Sequence, residues 1–209
     1  MSIQSNLQPT TSSNTSMNKK HNKTIIDLGT GDGRFVFKSA QANPNNLYIG
    51  IDPSEKQLQA YSKKINTNRL ENAKLLVGSL KNLPEQIKGT ADVLYIFLPW
   101  GTLLQNIVKP TNESSQRFAS VLKKPATMEI LLGYDPKSEP SESTRLELPE
   151  LTKNYLLDEP IKIFELNGFK LVSLEQIDKK QLDNIETTWG KKLRFGKNRP
   201  LFMIKLEYA

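Results

Sequence analysis

The run Asp27-Leu28-Gly29-Thr30-Gly31-Asp32-Gly33 alternates three glycines behind a carboxylate, and a further acid, Asp52, follows nineteen positions after Gly33. That combination suits a ligand that carries positive charge and no phosphate. Glycines let an amino-acid arm lie against the backbone, Asp27 puts negative charge near an ammonium, and Asp52 can accept from two ribose hydroxyls. S-adenosylmethionine, with its sulfonium, ammonium and adenosine, is a ligand of that kind. A dinucleotide fingerprint needs a third glycine where Arg34 stands, and Asp32 would repel a pyrophosphate. No Gly-Lys-Ser/Thr follows, so the loop does not match an ATP or GTP phosphate cradle. Taken alone, the loop also fits a tight turn in some other α/β protein. Ser79 and Leu80 stand where the adenine edge is expected, although Gly78-Ser79-Leu80 also reads as an ordinary turn.

A second constellation is aromatic and basic. Phe97-Leu98-Pro99-Trp100-Gly101-Thr102 puts a tryptophan just past an apolar run. Methyltransferases that modify exocyclic amino groups often hold an acid or amide where Leu98 stands, so a step needing an N–H acceptor is disfavoured. Pro99 fixes the backbone, and Trp100 offers a flat face to a planar substrate. Trp189 precedes a tract, Lys191 to Arg199, with five basic residues and no acidic one. Aromatic rings interleaved with cations can hold an extruded base while its phosphates are neutralised, each stacked base contributing ~1–3 kcal/mol. The plainer alternative for either tryptophan is core packing. Lys63, Lys64 and Arg69 form another basic cluster near a predicted helix end, where they would also complement the helix dipole.

These residues need elements to position them. Thr24–Leu28, Leu47–Ile51, Ala73–Val77, Ala91–Leu98 and Thr127–Leu132 read as buried strands. Between them fall helical patterns at Phe35–Ala40, from Ser54 as N-cap to about Ile65, from about Gly101, and over roughly Ser114–Lys123. Tyr134–Glu147 reads as a loop within an insertion at about 134–157. Leu151–Tyr155, Asp158–Asn167 and Asp178–Trp189 read as helices, and Lys170–Leu174 and Leu201–Glu207 as closing strands. Alternating β and α units predict an α/β fold, a doubly wound, mostly parallel sheet of the Rossmann-like kind with an antiparallel edge strand. Residues 1–22, polar and without acids, predict a disordered tail ahead of one domain over 23–209.

Composition narrows the chemistry further. The 209 residues contain no cysteine and one histidine, His21, which removes thiol nucleophiles, Ser-His-Asp triads and Cys/His metal clusters. No apolar run approaches the roughly 18 residues of a membrane span, and no signal-peptide pattern is present, so a cytoplasmic protein with neither membrane nor metal is expected. Twenty-nine Lys and Arg against 22 Asp and Glu leave a charge of +7, which suits a polyanionic partner.

Four runs together resemble the aminoglycoside-resistance 16S rRNA (adenine(1408)-N1)-methyltransferases of the kanamycin–apramycin type. They are Ile26–Arg34, Tyr48–Pro53, Pro99-Trp100-Gly101-Thr102-Leu103-Leu104, and Trp189-x-Lys-x-Leu-x-Phe195-Gly196. The resemblance implies a class I S-adenosylmethionine-dependent fold with a seven-stranded sheet. It also implies methylation of N1 of a decoding-site adenine in 16S rRNA, on the assembled small ribosomal subunit; nothing in the sequence suggests an obligate dimer, so a monomer is expected. The flipped base would lie between Trp100 and Trp189, with Pro99 and the Thr187 hydroxyl beside it. The donor would be surrounded by Asp27, Gly29, Thr30, Gly31, Gly33, Asp52, Pro53, Ser79, Leu80, Leu98 and Thr102. Phosphate contacts would come from Lys63, Lys64, Lys192, Lys197 and Arg199, with Arg69 beside them and Arg145 loosely matching an arginine of the insertion. Thr67-Asn68 replaces a lysine pair of one relative, and several family arginines are lysines here, which lose the fork geometry. Rival readings are a methyltransferase of another rRNA or tRNA site, one of small molecules, and a non-catalytic RNA-binding protein on this fold.

Overall fold

The computed structural model describes residues 21–184 and 199–209. The expectations for Thr187, Trp189, Lys192, Lys197 and most of the N-terminal tail lie outside the described residues. Along the chain run β1 (Thr24–Leu28), α1 (Arg34–Ala42), β2 (Leu47–Asp52), α2 (Glu55–Thr67), β3 (Ala73–Val77), β4 (Ala91–Phe97) and α3 (Gly101–Val108). They continue as α4 (Asn112–Ala119), β5 (Leu122–Leu132), α5 (Pro140–Leu146), α6 (Lys153–Asp158), α7 (Pro160–Leu166), β6 (Phe169–Gln176) and β7 (Phe202–Tyr208).

The strands form one seven-stranded sheet in the order β3-β2-β1-β4-β5-β7-β6. From β1 the chain winds outward to β2 and β3, then returns to β4 on β1's other side and continues outward. The winding direction therefore reverses between β1 and β4, and in open α/β sheets ligands bind at the carboxyl ends of the strands flanking such a reversal. Strand alternation divides the core. Ile26, Leu28, Ile49 and Ile51 face the larger cluster with Leu104, Phe118 and Phe164. Ile25 and Tyr48 face the smaller one with Val36, Phe37, Tyr61 and Ile65 of α1 and α2.

Several sequence expectations need correction. The antiparallel strand is not at the edge: β7 lies between β5 and β6, antiparallel to both. The helix expected over Ser114–Lys123 stops at Ala119. Val121 accepts the N–H groups of Thr90 and Ala91, and Leu122 pairs with Ala91, so sheet pairing captures Leu122–Lys124 for β5. The segment expected to be a loop carries α5, with Pro140 in its first turn and the Glu142–Arg145 ion pair along it. Of the helix expected from Asp178, the described part is a 3-10 turn at Lys179–Asn184. Ser54 does cap α2, accepting from the Gln57 N–H.

The loops beneath the sheet meet at Asn72, buried at 6% exposure. Its amide donates to the carbonyls of Ala40, Asn43 and Asn46 at 3.0, 3.3 and 3.0 Å, tying the end of α1 to the start of β2. Asn72→Ala strips three carbonyls of one shared donor and should lower unfolding stability by about 2 kcal/mol in urea titration. A loss below about 0.5 kcal/mol would show that water replaces the amide there.

Candidate active site

The glycine run folds as a turn at the carboxyl end of β1. The N–H groups of Gly29 and Thr30 both donate to the Ile51 carbonyl, at 2.8 and 3.0 Å, which binds the turn to β2. Gly29 and Gly33 adopt φ of +80° and +82°, and a Cβ at either would stand 2.7 Å from Leu103 Cδ2 or 2.6 Å from Leu75 Cδ1. The left-handed backbone favours glycine at these two positions, and a side chain there would also have to displace Leu103 or Leu75.

Above the turn opens a cleft of about 530 Å3. Gly29, Gly31, Asp52 and Pro53 line one wall, and Gly78, Ser79, Leu80 and Lys81 another. Leu98, Pro99, Trp100 and Thr102 complete the expected rim. The sequence reading missed Ser54, Gln57, Leu103, Gln105 and Asn106, which also line the cleft. Their signal was positional, since they fall at the N-cap and first turn of α2 and in the two turns of α3, the helices that start at the carboxyl ends of β2 and β4. Asp27, Thr30 and Gly33, expected around the donor, do not line the cleft. A second cavity of about 710 Å3 opens beyond Leu80 and Lys81 toward Arg117. It is larger, but none of the glycine-turn or tryptophan residues lines it, so the smaller cleft is the candidate site.

The two acids differ in setting. Asp52 Oδ2 accepts from Gly31 N–H and Oδ1 from Ser54 N–H, each at 2.9 Å, which leaves further lone pairs on both oxygens. Asp27 is 2% exposed and its Oδ2 has no hydrogen-bond partner. Burial pushes its carboxyl up to about 7; the Thr30 side chain opposes the shift and the Asp52 charge adds to it. Burial thus favours the neutral acid, and a cation brought beside it would favour the carboxylate.

At the opposite wall, Leu98 ends the β4 segment with φ of +52°, a left-handed conformation that leucine seldom adopts. Its N–H donates to the Leu131 carbonyl at 2.8 Å. Its side chain packs against the cluster of Leu131, Leu182 and Leu201. This held kink turns the chain so that Pro99 is buried while Trp100, the N-cap of α3, remains 49% exposed.

The expected phosphate contacts divide. Lys63, Lys64 and Arg69 are exposed on or just after α2, with the Lys64 ammonium 4.2 Å from the Tyr61 ring centroid. Arg145 is exposed and bonded to Glu142. Arg199 faces inward, 14% exposed, ion-paired with Glu139 and donating to the Gly133 carbonyl at 3.0 Å. Its charge answers an internal carboxylate. Among the described residues no group of three or more His, Asp or Glu could hold a metal, and no helix is long and apolar enough to cross a membrane.

S-adenosylmethionine fits these residues. Asp27, two residues before Gly29, keeps an unpartnered Oδ2, and the left-handed Gly29, Gly31 and Gly33 let the backbone come close to a ligand. The Asp52 lone pairs face a cavity of suitable volume. In the ligand-free protein Asp27 holds its proton to higher pH than in the unfolded chain. Folding is therefore favoured by this group at low pH, and its contribution is lost as pH rises from about 4 to about 7. Urea titrations of the wild type and Asp27→Asn across that window should show the wild type losing stability relative to the variant as pH rises. A pH-independent difference would contradict the buried, protonated acid.

Comparison with known proteins agrees with this geometry. The family model described as "NpmA: 16S rRNA (adenine(1408)-N(1))-methyltransferase" matches residues 5–207. A curated 16S rRNA (adenine(1408)-N(1))-methyltransferase of Escherichia coli is 36% identical over 184 residues, 86% of this chain and 84% of that protein. The crystal structure of a 30S ribosomal A1408 methyltransferase from an uncultured bacterium is 41% identical with a TM-score of 0.70, covering 91% of this chain and 89% of that one. A mutant 16S rRNA (adenine(1408)-N(1))-methyltransferase of Catenulisporales acidiphilia, solved with its cosubstrate SAM, shares the fold at a TM-score of 0.79 and 22% identity, covering 91% of this chain and 87% of that one. The chain belongs to the family of 16S rRNA (adenine(1408)-N(1))-methyltransferases.

Proposed function

We propose that this protein methylates N1 of adenine 1408 in the 16S rRNA of the small ribosomal subunit, using S-adenosylmethionine, and so confers aminoglycoside resistance. The observation that carries the reading is the half-exposed Trp100 ring at the mouth of the cleft that holds the glycine turn and Asp52. An indole half exposed beside the glycine turn and Asp52 offers a face on which a planar base can stack.

Bound S-adenosylmethionine supplies an electrophilic methyl group on a cationic sulfur. Adenine N1 has an in-plane lone pair and no proton, so it needs no general base, and the absence of a polar side chain at Leu98 costs nothing. The protein's task is to hold N1 in line with the methyl carbon. Pro99 and the left-handed Leu98 fix where Trp100 projects. As N1 gains the methyl group, the base becomes cationic, and the face of Trp100 stabilises that charge by roughly 1–2 kcal/mol once water is excluded. Trp189 supplies the opposing face and Thr187 a nearby hydroxyl in this proposal. Lys63, Lys64, Arg69, Lys192 and Lys197 bind flanking phosphates, Asp52 accepts from the ribose, and the buried Asp27 supplies negative charge toward the ammonium without lining the cleft.

Incubation with intact small subunits and tritiated donor, followed by primer extension, tests the reading. A methyl group on N1 blocks Watson–Crick pairing, so reverse transcriptase should halt beside adenine 1408. A halt elsewhere, or label only on free tRNA, would reject the assignment. Trp100→Ala and Trp189→Ala should each lower turnover by at least about a hundredfold, the loss expected from ~3 kcal/mol of stacking and positioning. Both should still bind the donor in calorimetry. Near-normal methylation by either variant would remove the sandwich from the mechanism.

A further inference from the structure

We propose that Arg117 is a positioning residue for the adenosine end of the donor, acting through the turn Gly78–Asn82; this inference rests on the donor reading above. The turn is a partition with a cavity on each side. Gly78, Ser79, Leu80 and Lys81 line the donor cleft, while Leu80, Lys81 and Asn82 line the 710 Å3 cavity behind it. Its own bonds are few. Gly78 N–H donates to the Asp52 carbonyl at 3.1 Å, and Ser79 and Asn82 exchange backbone bonds at 3.2 and 3.0 Å. The Leu80 side chain is buried in the main core.

The carbonyls of Leu80 and Lys81 turn away from the cleft and meet one guanidinium. Arg117 Nη1 lies 3.5 Å from the Leu80 oxygen and 2.5 Å from the Lys81 oxygen. Its Nη2 is held by Glu113 Oε1 at 2.7 Å, four residues back on α4. That helix is itself fixed by the Thr111–Ser114 capping box and by Phe118 packed on Phe164 of α7. A planar trans peptide sends its N–H opposite its carbonyl. With the Leu80 oxygen facing Arg117, the Lys81 N–H is directed away from that cation, and Lys81 lines the donor cleft, which Arg117 does not. The cation thus sets both the height of the partition and the direction of a backbone donor suited to a purine ring nitrogen. Water entering the rear cavity could satisfy the two carbonyls but could not tie the turn to α4.

The test measures KM and kcat for S-adenosylmethionine with intact small subunits, and calorimetric affinity for 5′-methylthioadenosine, which keeps the adenosine and lacks the amino-acid arm. Arg117→Leu should raise KM for the donor and weaken the adenosine fragment by the same factor, roughly tenfold, as expected for a lost charged hydrogen bond. Turnover at saturating donor should fall by less than about twofold, and Arg117→Lys should recover part of the affinity. If Arg117→Leu does not fold, Arg117→Gln, which loses the fork, carries the same expectation. Wild-type affinity for the fragment, or a fall in kcat with KM unchanged, would overturn the positioning role. A wild-type protein that binds neither the donor nor the fragment would overturn the donor reading, and this inference with it.

Discussion

Asp27 and Asp52 carry their carboxyl groups at the buried ends of two adjacent parallel strands, and no lysine or arginine pairs with either among the described residues. Removing a carboxylate from water without a counter-charge is among the costlier things a fold can do. The structure answers it in two ways. Asp52 is stabilised by two backbone N–H groups. Asp27 has one oxygen with no partner and stays neutral toward pH 7. A ligand that brings its own cation would relieve the tension, and in the proposed donor site this is the role of the buried acid beside the glycine turn.

The rest of the sheet keeps those two acids in place and brings Trp100 to the same end of the strands. Parallel pairing of β1 with β2 fixes the spacing of the acids, and parallel pairing of β1 with β4 brings the Leu98–Trp100 corner to the same end. That corner is strained, since a left-handed leucine costs on the order of 1–3 kcal/mol. Packing of Leu98 against Leu131, Leu182 and Leu201 offsets the cost. Rigidity at this corner matters because a reaction governed by positioning loses rate for every fraction of an ångström that the ring can wander.

The parallel part of the fold was legible because its information is local. Apolar runs such as Val93–Phe97 mark buried strands, and Gly29, Gly31, Gly33, Asp52 and Ser54 mark the turn and cap between them. Features set by distant partners were not legible. Nothing near Phe202–Tyr208 says that this strand inserts between β5 and β6, and nothing in Leu122–Lys124 announces that Ala91 will draw it out of a helical pattern. Charge was similarly mute about direction. Arg199 reads as one more cation in a basic tract, yet Glu139, sixty residues earlier, takes its guanidinium inward. Leu98 looked like a missing polar group, while its backbone conformation, invisible in the residue type, is what aims Trp100.

The acid pair as counter-charge is open to direct measurement through the proton that Asp27 must release when a cation arrives. Calorimetric titration of S-adenosylmethionine near pH 6.5, in two buffers of different ionisation enthalpy, counts that proton. The account predicts net release by the wild-type protein and none by Asp27→Asn. Binding without proton release in the wild type, or release of equal size in the variant, would contradict it.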